Sequence, residues 1–172
     1  MNKKILGIPV LILTFALLSI PVMGAPATKI EEVTMTVENG GPVSYDGYPR
    51  WVSDDTILLS KGGTSPEATV TLVIPGVGTY NGPWYSEWIA MANWKKDPVE
   101  TVINAKHVMT FEGGTFEGVN QRRITGPPVA PDSIIEDRSV YQGTGIFKGW
   151  TLKLSREGTP DVITEGYLIL PK

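Results

Sequence analysis

The sequence predicts an all-β fold, a single antiparallel β-barrel of about eight to nine strands, preceded by a signal peptide. Three observations carry this. Glycine (19) and proline (14) are abundant among the 172 residues, charged residues make up only 19%, and no stretch has the spacing of a long amphipathic helix. Turn-rich chains of that kind build sheets. Roughly nine short segments show apolar periodicity or β-branched enrichment between clusters of turn residues. A five-residue pattern, Gly-x-aromatic-x-Gly, also occurs three times, as Gly78-Thr79-Tyr80-Asn81-Gly82, Gly114-Thr115-Phe116-Glu117-Gly118 and Gly145-Ile146-Phe147-Lys148-Gly149.

The repeated pattern indicates which face is inside. Side chains alternate along a strand, so each copy sets glycine, aromatic, glycine on one face. Asn81, Glu117 and Lys148 on the other face prefer water. Tyr80, Phe116 and Phe147 are therefore expected to point inward, where neighbouring glycines leave room for a ring and let the strand curve.

Residues 1–27 read as a signal peptide and 28–172 as the barrel domain. Met1-Asn2-Lys3-Lys4 supplies a short positive region, Ile5 to Met23 an apolar one, and small residues follow. Cleavage before Ala25 or before Thr28 suits the pattern. The competing reading is an uncleaved membrane anchor, since about 19 residues approaches spanning length. Either way the domain is expected to be secreted or extracytoplasmic, with the leader as its sole link to a membrane.

The barrel segments follow in order. Val33, Met35 and Val37 alternate with Thr34, Thr36 and Glu38, a half-buried strand that ends at Asn39-Gly40-Gly41-Pro42. Trp51-Val52 and Thr56 to Leu59 flank Asp54-Asp55 as a short hairpin or bend, and Gly62 to Pro66 reads as a loop. Ala68 to Ile74 is a Thr/Val-rich strand leading through Pro75-Gly76 into the first glycine-aromatic copy. Pro83 is expected to break the chain and leave Trp84-Tyr85 in a turn. Ser86 to Trp94 is apolar on both parities, so it should be buried on both faces or cover a ligand or partner. Lys95 to Pro98 turns the chain, and Val99 to Phe111 forms one long strand or two short ones. The second copy runs on through Gln121 to Ile124, and Gly126 to Pro131 is the longest loop. Ser139 to Leu154 is a hairpin containing the third copy, and Val162 to Leu170 closes the sheet. A one-residue bulge at Gly149 is needed there to return Trp150, Leu152 and Leu154 to the core.

Gly143-Thr144-Gly145-Ile146-Phe147-Lys148-Gly149 resembles the Gly-Thr-Gly-x-Phe-x-Gly signature of the dirigent and allene oxide cyclase group of antiparallel barrels. Gly114 to Gly118 is similar to a shorter copy of it. The resemblance implies an eight-stranded barrel with an elongated apolar cavity, often trimeric, hence a homo-oligomer. No second motif of that group matches, so no catalytic residue is carried over.

Composition and motifs exclude several chemistries. The net charge of −3 becomes about −5 without Lys3 and Lys4, whereas nucleic-acid binding wants a basic stripe. With no cysteine, disulfides, thiolate metal sites and cysteine nucleophiles are impossible. No metal-site or cofactor motif is present, and none is expected. His107, the single histidine, has no Gly-x-Ser-x-Gly elbow to serve and reads as structural or solvent-facing. Asp54-Asp55 reads as turn chemistry. Arg122-Arg123 reads as two solvated charges near a strand end. The alternative is one inward guanidinium that anchors an anionic group.

Candidate ligand-binding residues are the aromatics Tyr80, Trp84, Tyr85, Trp88 and Trp94, with Arg122 and Arg123. The functional expectation is a binding module for an apolar or aromatic ligand or for a protein partner. Alternatives are a cyclase- or dirigent-like enzyme acting by substrate positioning, and a cell-surface structural subunit. The decisive question is whether the barrel is hollow.

Overall fold

The computed structural model describes residues 27–127, 131–159 and 164–171. The expected leader lies outside the described residues except for Ala27, as do Pro128 to Ala130 of the long loop and Val162 and Ile163 of the closing strand. Among the described residues, eleven strands form one sheet: β1 Lys29–Glu38, β2 Pro42–Ser44, β3 Arg50–Val52, β4 Ile57–Thr64, β5 Thr69–Ile74, β6 Gly78–Asn93, β7 Glu100–Phe111, β8 Gly114–Thr125, β9 Ile134–Gly143, β10 Thr151–Gly158 and β11 Thr164–Ile169. Eight of them close a barrel in the order β6-β5-β1-β11-β10-β9-β8-β7 and back to β6, every pairing antiparallel. The other three add outside this ring: β4 pairs with β6, and β2 and β3 pair with β4.

The sixteen-residue β6 is the hinge of the architecture. Its first half, Gly78 to Pro83, pairs with β5, and its second half pairs with β4 on that edge and with β7 on the other. Pro83 does not break it, contrary to the sequence expectation. The Trp84 N–H donates to Ala68 O at 2.9 Å on the β5 side, so the proline nitrogen faces the β7 side. There the ladder begins only at Trp84, so no hydrogen bond is lost. Gly62 to Thr64, the first part of the expected Gly62 to Pro66 loop, is likewise strand, squeezed between β2 and β6.

One half of the barrel is packed. Val33, Leu72, Met109, Leu152 and Leu168 meet the rings of Phe111, Phe116, Tyr141 and Phe147. Phe116 and Phe147 stack with centroids 4.9 Å apart, and Tyr80 meets Phe147 edge-on at 5.1 Å. The three motif aromatics thus converge, but by two routes. Tyr80 and Phe116 arrive by strand alternation, whereas Phe147 lies in a 3-10 turn, Gly145–Phe147. Gly145 enters that turn at φ +58°, and a Cβ there would lie 2.0 Å from Gly113 O. The expected bulge at Gly149 is therefore replaced by a turn. The Phe147 N–H donates to Thr144 O and the Trp150 N–H to Phe147 O, after which Leu152 and Leu154 point inward and Trp150 packs against the core.

Candidate functional site

Beyond Trp84 the inward positions of β6 and β7 change size. Ser86, Ala90 and Ala92 on β6 and Ala105 on β7 are too small to fill the interior, and a cavity of about 360 Å³ remains. Trp84, Trp88, Ile103 and Ile124 complete its apolar wall, and Leu58 of β4 covers it. The wall follows β6 from Trp84 to Ala92, roughly 26 Å of strand. The cavity is therefore elongated. Its inner end abuts the packed core, against which Trp84 rests.

A polar part of the lining comes from alternation on three adjacent strands. Thr101 and His107 on β7 and Asn120 and Arg122 on β8 line the cavity, with Asp137, Ser139 and Tyr141 on β9 beside them. Register places Arg122 opposite Asp137 and Asn120 opposite Ser139. Arg122 donates from Nε and Nη2 to Asp137 Oδ2 at 2.9 and 2.6 Å. Asn120 donates from Nδ2 to Asp137 Oδ1 and, at 2.9 Å, to Ser139 Oγ. Arg156 Nη2 of β10 lies 3.5 Å from the same carboxylate. A buried carboxylate needs such partners, because desolvation would otherwise make its charge untenable.

His107 Nδ1 and the Tyr141 hydroxyl lie 2.9 Å apart, both groups buried. Burial pushes the imidazole down to about 4, and the Arg122 charge acts in the same direction against Asp137. Burial also pushes the Tyr141 phenol up to about 12. Near neutral pH both are uncharged. Two other buried polar atoms in the cavity wall, Trp84 Nε1 and Thr101 Oγ1, have no hydrogen-bond partner among the described residues.

No family model, no curated protein and no solved structure matches this chain.

The candidate residues divide. Trp84, Trp88 and Arg122 line the cavity. Tyr80 does not, because it belongs to the packed half. Tyr85 and Arg123 have the opposite parity and point outward, Arg123 Nε lying 3.6 Å from Glu100. Trp94 lies past the end of β6 and packs edge-on against Trp51 at 6.1 Å. The segment Ser86 to Trp94 is buried on one face only, with Ile89 and Met91 exposed on the other. His107 is not solvent-facing, and Arg122 is not a solvated charge. Ser53, Asp54 and Asp55 form a left-handed turn between β3 and β4, consistent with turn chemistry.

Asn120, Asp137, Ser139, Tyr141 and Thr101 were missed. A signal was present in parity: from Phe116, inward alternation runs through Gly118, Asn120, Arg122 and Ile124. What parity could not supply was the pairing that brings Asp137 against Arg122.

Proposed function

We propose that this protein is an extracytoplasmic binding module that holds a small, mainly apolar ligand in the hollow half of its barrel. The supporting observation is the change of side-chain size along β6 and β7, which leaves an elongated cavity with tryptophan and aliphatic walls. Its volume falls in the range of ordinary small-molecule pockets. A domain that needed only stability would fill such a space, since voids cost packing energy. Thr101, His107, Asn120 and Arg122 in the lining add that the cavity suits an occupant with some polar character.

A second reading has its own support. The inward Arg122–Asp137 pair and the neutral His107 favour an enzyme that positions a reactive substrate, in the manner implied by the dirigent and allene oxide cyclase resemblance. The test is a thermal-shift and tryptophan-fluorescence screen of fatty acids, terpenoids, phenolics and short glycans, with each binder recovered and analysed after incubation. A raised midpoint with unchanged ligand supports the binding module, and a transformed ligand supports the enzyme. If no compound shifts the protein, both cavity readings fall.

A further inference from the structure

Arg122 meets Asp137 along one edge of its guanidinium, and that contact fixes where the rest of the group points. Nε and Nη2 both donate to Asp137 Oδ2, at 2.9 and 2.6 Å. The guanidinium is a planar fork in which the Nε–Nη2 edge and the third nitrogen lie on opposite sides of Cζ. Nη1 is therefore directed away from Asp137. Among the described residues β9, which carries Asp137, contributes nothing to the cavity lining, whereas Arg122 on β8 is part of it. Pointing away from β9 turns Nη1 to the cavity side of the pair. Exposure agrees, the Arg122 side chain being 30% exposed and that of Asp137 5%.

Two N–H groups remain at the end of the fork. Nη1 has no hydrogen-bond partner among the described residues, and Nη2 gives Asp137 only one of its two hydrogens. Side by side on one edge, they match the two oxygens of a carboxylate. Register sets their depth. Arg122 lies opposite Ile103, and Ile103 opposite Ala90, whose small side chain leaves room at that level. From Ala90 inward, the lining continues through Trp88 and Ala105 to Trp84, roughly 20 Å of strand.

We infer that the free end of the Arg122 fork anchors the carboxylate of an amphipathic acid, whose apolar body runs from Ala90 towards Trp84. This rests on the binding reading above and narrows its ligand to organic anions. A guanidinium only donates, and its hydrogen bonds to a charged acceptor are about twice as strong as those to a neutral one. Among the described residues no aspartate or glutamate lines the cavity, and Arg122 is the sole arginine or lysine there. Asp137 sits behind the fork and does not depend on Arg122 alone. Asn120 Nδ2 donates to its Oδ1, and Arg156 Nη2 lies 3.5 Å from its Oδ2.

The test uses three molecules on one skeleton: 4-phenylbutanoate, its neutral isostere 4-phenylbutanamide, and the cation 4-phenylbutylammonium. Titration calorimetry near neutral pH should rank the acid about tenfold above the amide, and the amide above the ammonium. The double variant Arg122→Met with Asp137→Leu removes the fork together with its buried partner, and should bring the acid down to the level of the amide. In the wild-type protein, NMR should show NOEs from the methylene beside the carboxylate to the methyl groups of Ala90 and Ile103, and from the phenyl ring to Trp88. The wild-type ranking and the NOEs need no variant to fold. Equal affinity for acid and amide overturns the anchor and leaves the cavity reading standing. So does an acid preference that survives in the double variant, or NOEs that place the carboxylate end at Trp84. If none of the three binds, the cavity reading is overturned and the anchor with it.

Discussion

Arg122 donates twice to a single oxygen of Asp137, from Nε at 2.9 Å and from Nη2 at 2.6 Å. The two residues face each other across the β8–β9 ladder, Arg122 lining the cavity and Asp137 buried beside it. A charge pair so placed contributes little net stability, yet breaking it is costly because one charge is then stranded.

Asp137→Ala should therefore destabilise the protein by about 3 kcal/mol, since Arg122 and Asn120 both lose an acceptor. The paired change Arg122→Met with Asp137→Leu should recover most of that loss. Urea denaturation of the three variants measures it. A double variant no more stable than Asp137→Ala would count against the pair.

His107 ties stability to acidity. Its folded value of about 4 lies below the usual 6.5, so the unfolded chain takes up a proton first as the pH falls. Its contribution is fully present above pH 6.5 and is lost as the pH drops towards 4, by on the order of 3 kcal/mol in all. The groups acting on it are Tyr141, Arg122 and Asp137. Denaturation midpoints between pH 7 and 4.5 should fall less steeply in His107→Gln than in wild type, and parallel curves would contradict the assignment.

Gly145→Val should destabilise the fold by about 1–3 kcal/mol, because a side chain meets backbone at a left-handed position. Gly149→Val should cost less. Its φ is also positive, +86°, but the nearest atoms belong to the Pro171 ring at 3.2 Å. Thermal midpoints of the two variants give the order, and a reversed order would mean the Gly145 turn is not as tight as described.

Ala92→Leu should close part of the cavity between Leu58, Thr101 and Ile124. Added apolar contact in open space should leave stability unchanged or raise it by up to about 1 kcal/mol. Any ligand found in the wild-type screen should then lose its thermal shift. Undiminished binding in a folded Ala92→Leu protein would place the ligand elsewhere.

Local chemistry was enough to read the fold class and most strand positions, and alternation brought Tyr80 and Phe116 to the inside. Those properties depend on residues two apart in sequence, which a single strand determines by itself. The path of Phe147 through a 3-10 turn and the continuity of β6 through Pro83 depend on neighbouring chain: Gly113 and Gly114 against the turn, and the late start of the β7 ladder beside the proline. The candidate site is more dependent still. Trp84, Trp88 and Arg122 could be proposed from residue type, but Asp137 becomes the partner of Arg122 only when β8 and β9 adopt their register. The hollow, too, is a property of eight strands at once. Small residues at Ser86, Ala90, Ala92 and Ala105 leave empty space only because nothing from the opposite wall reaches across to fill it.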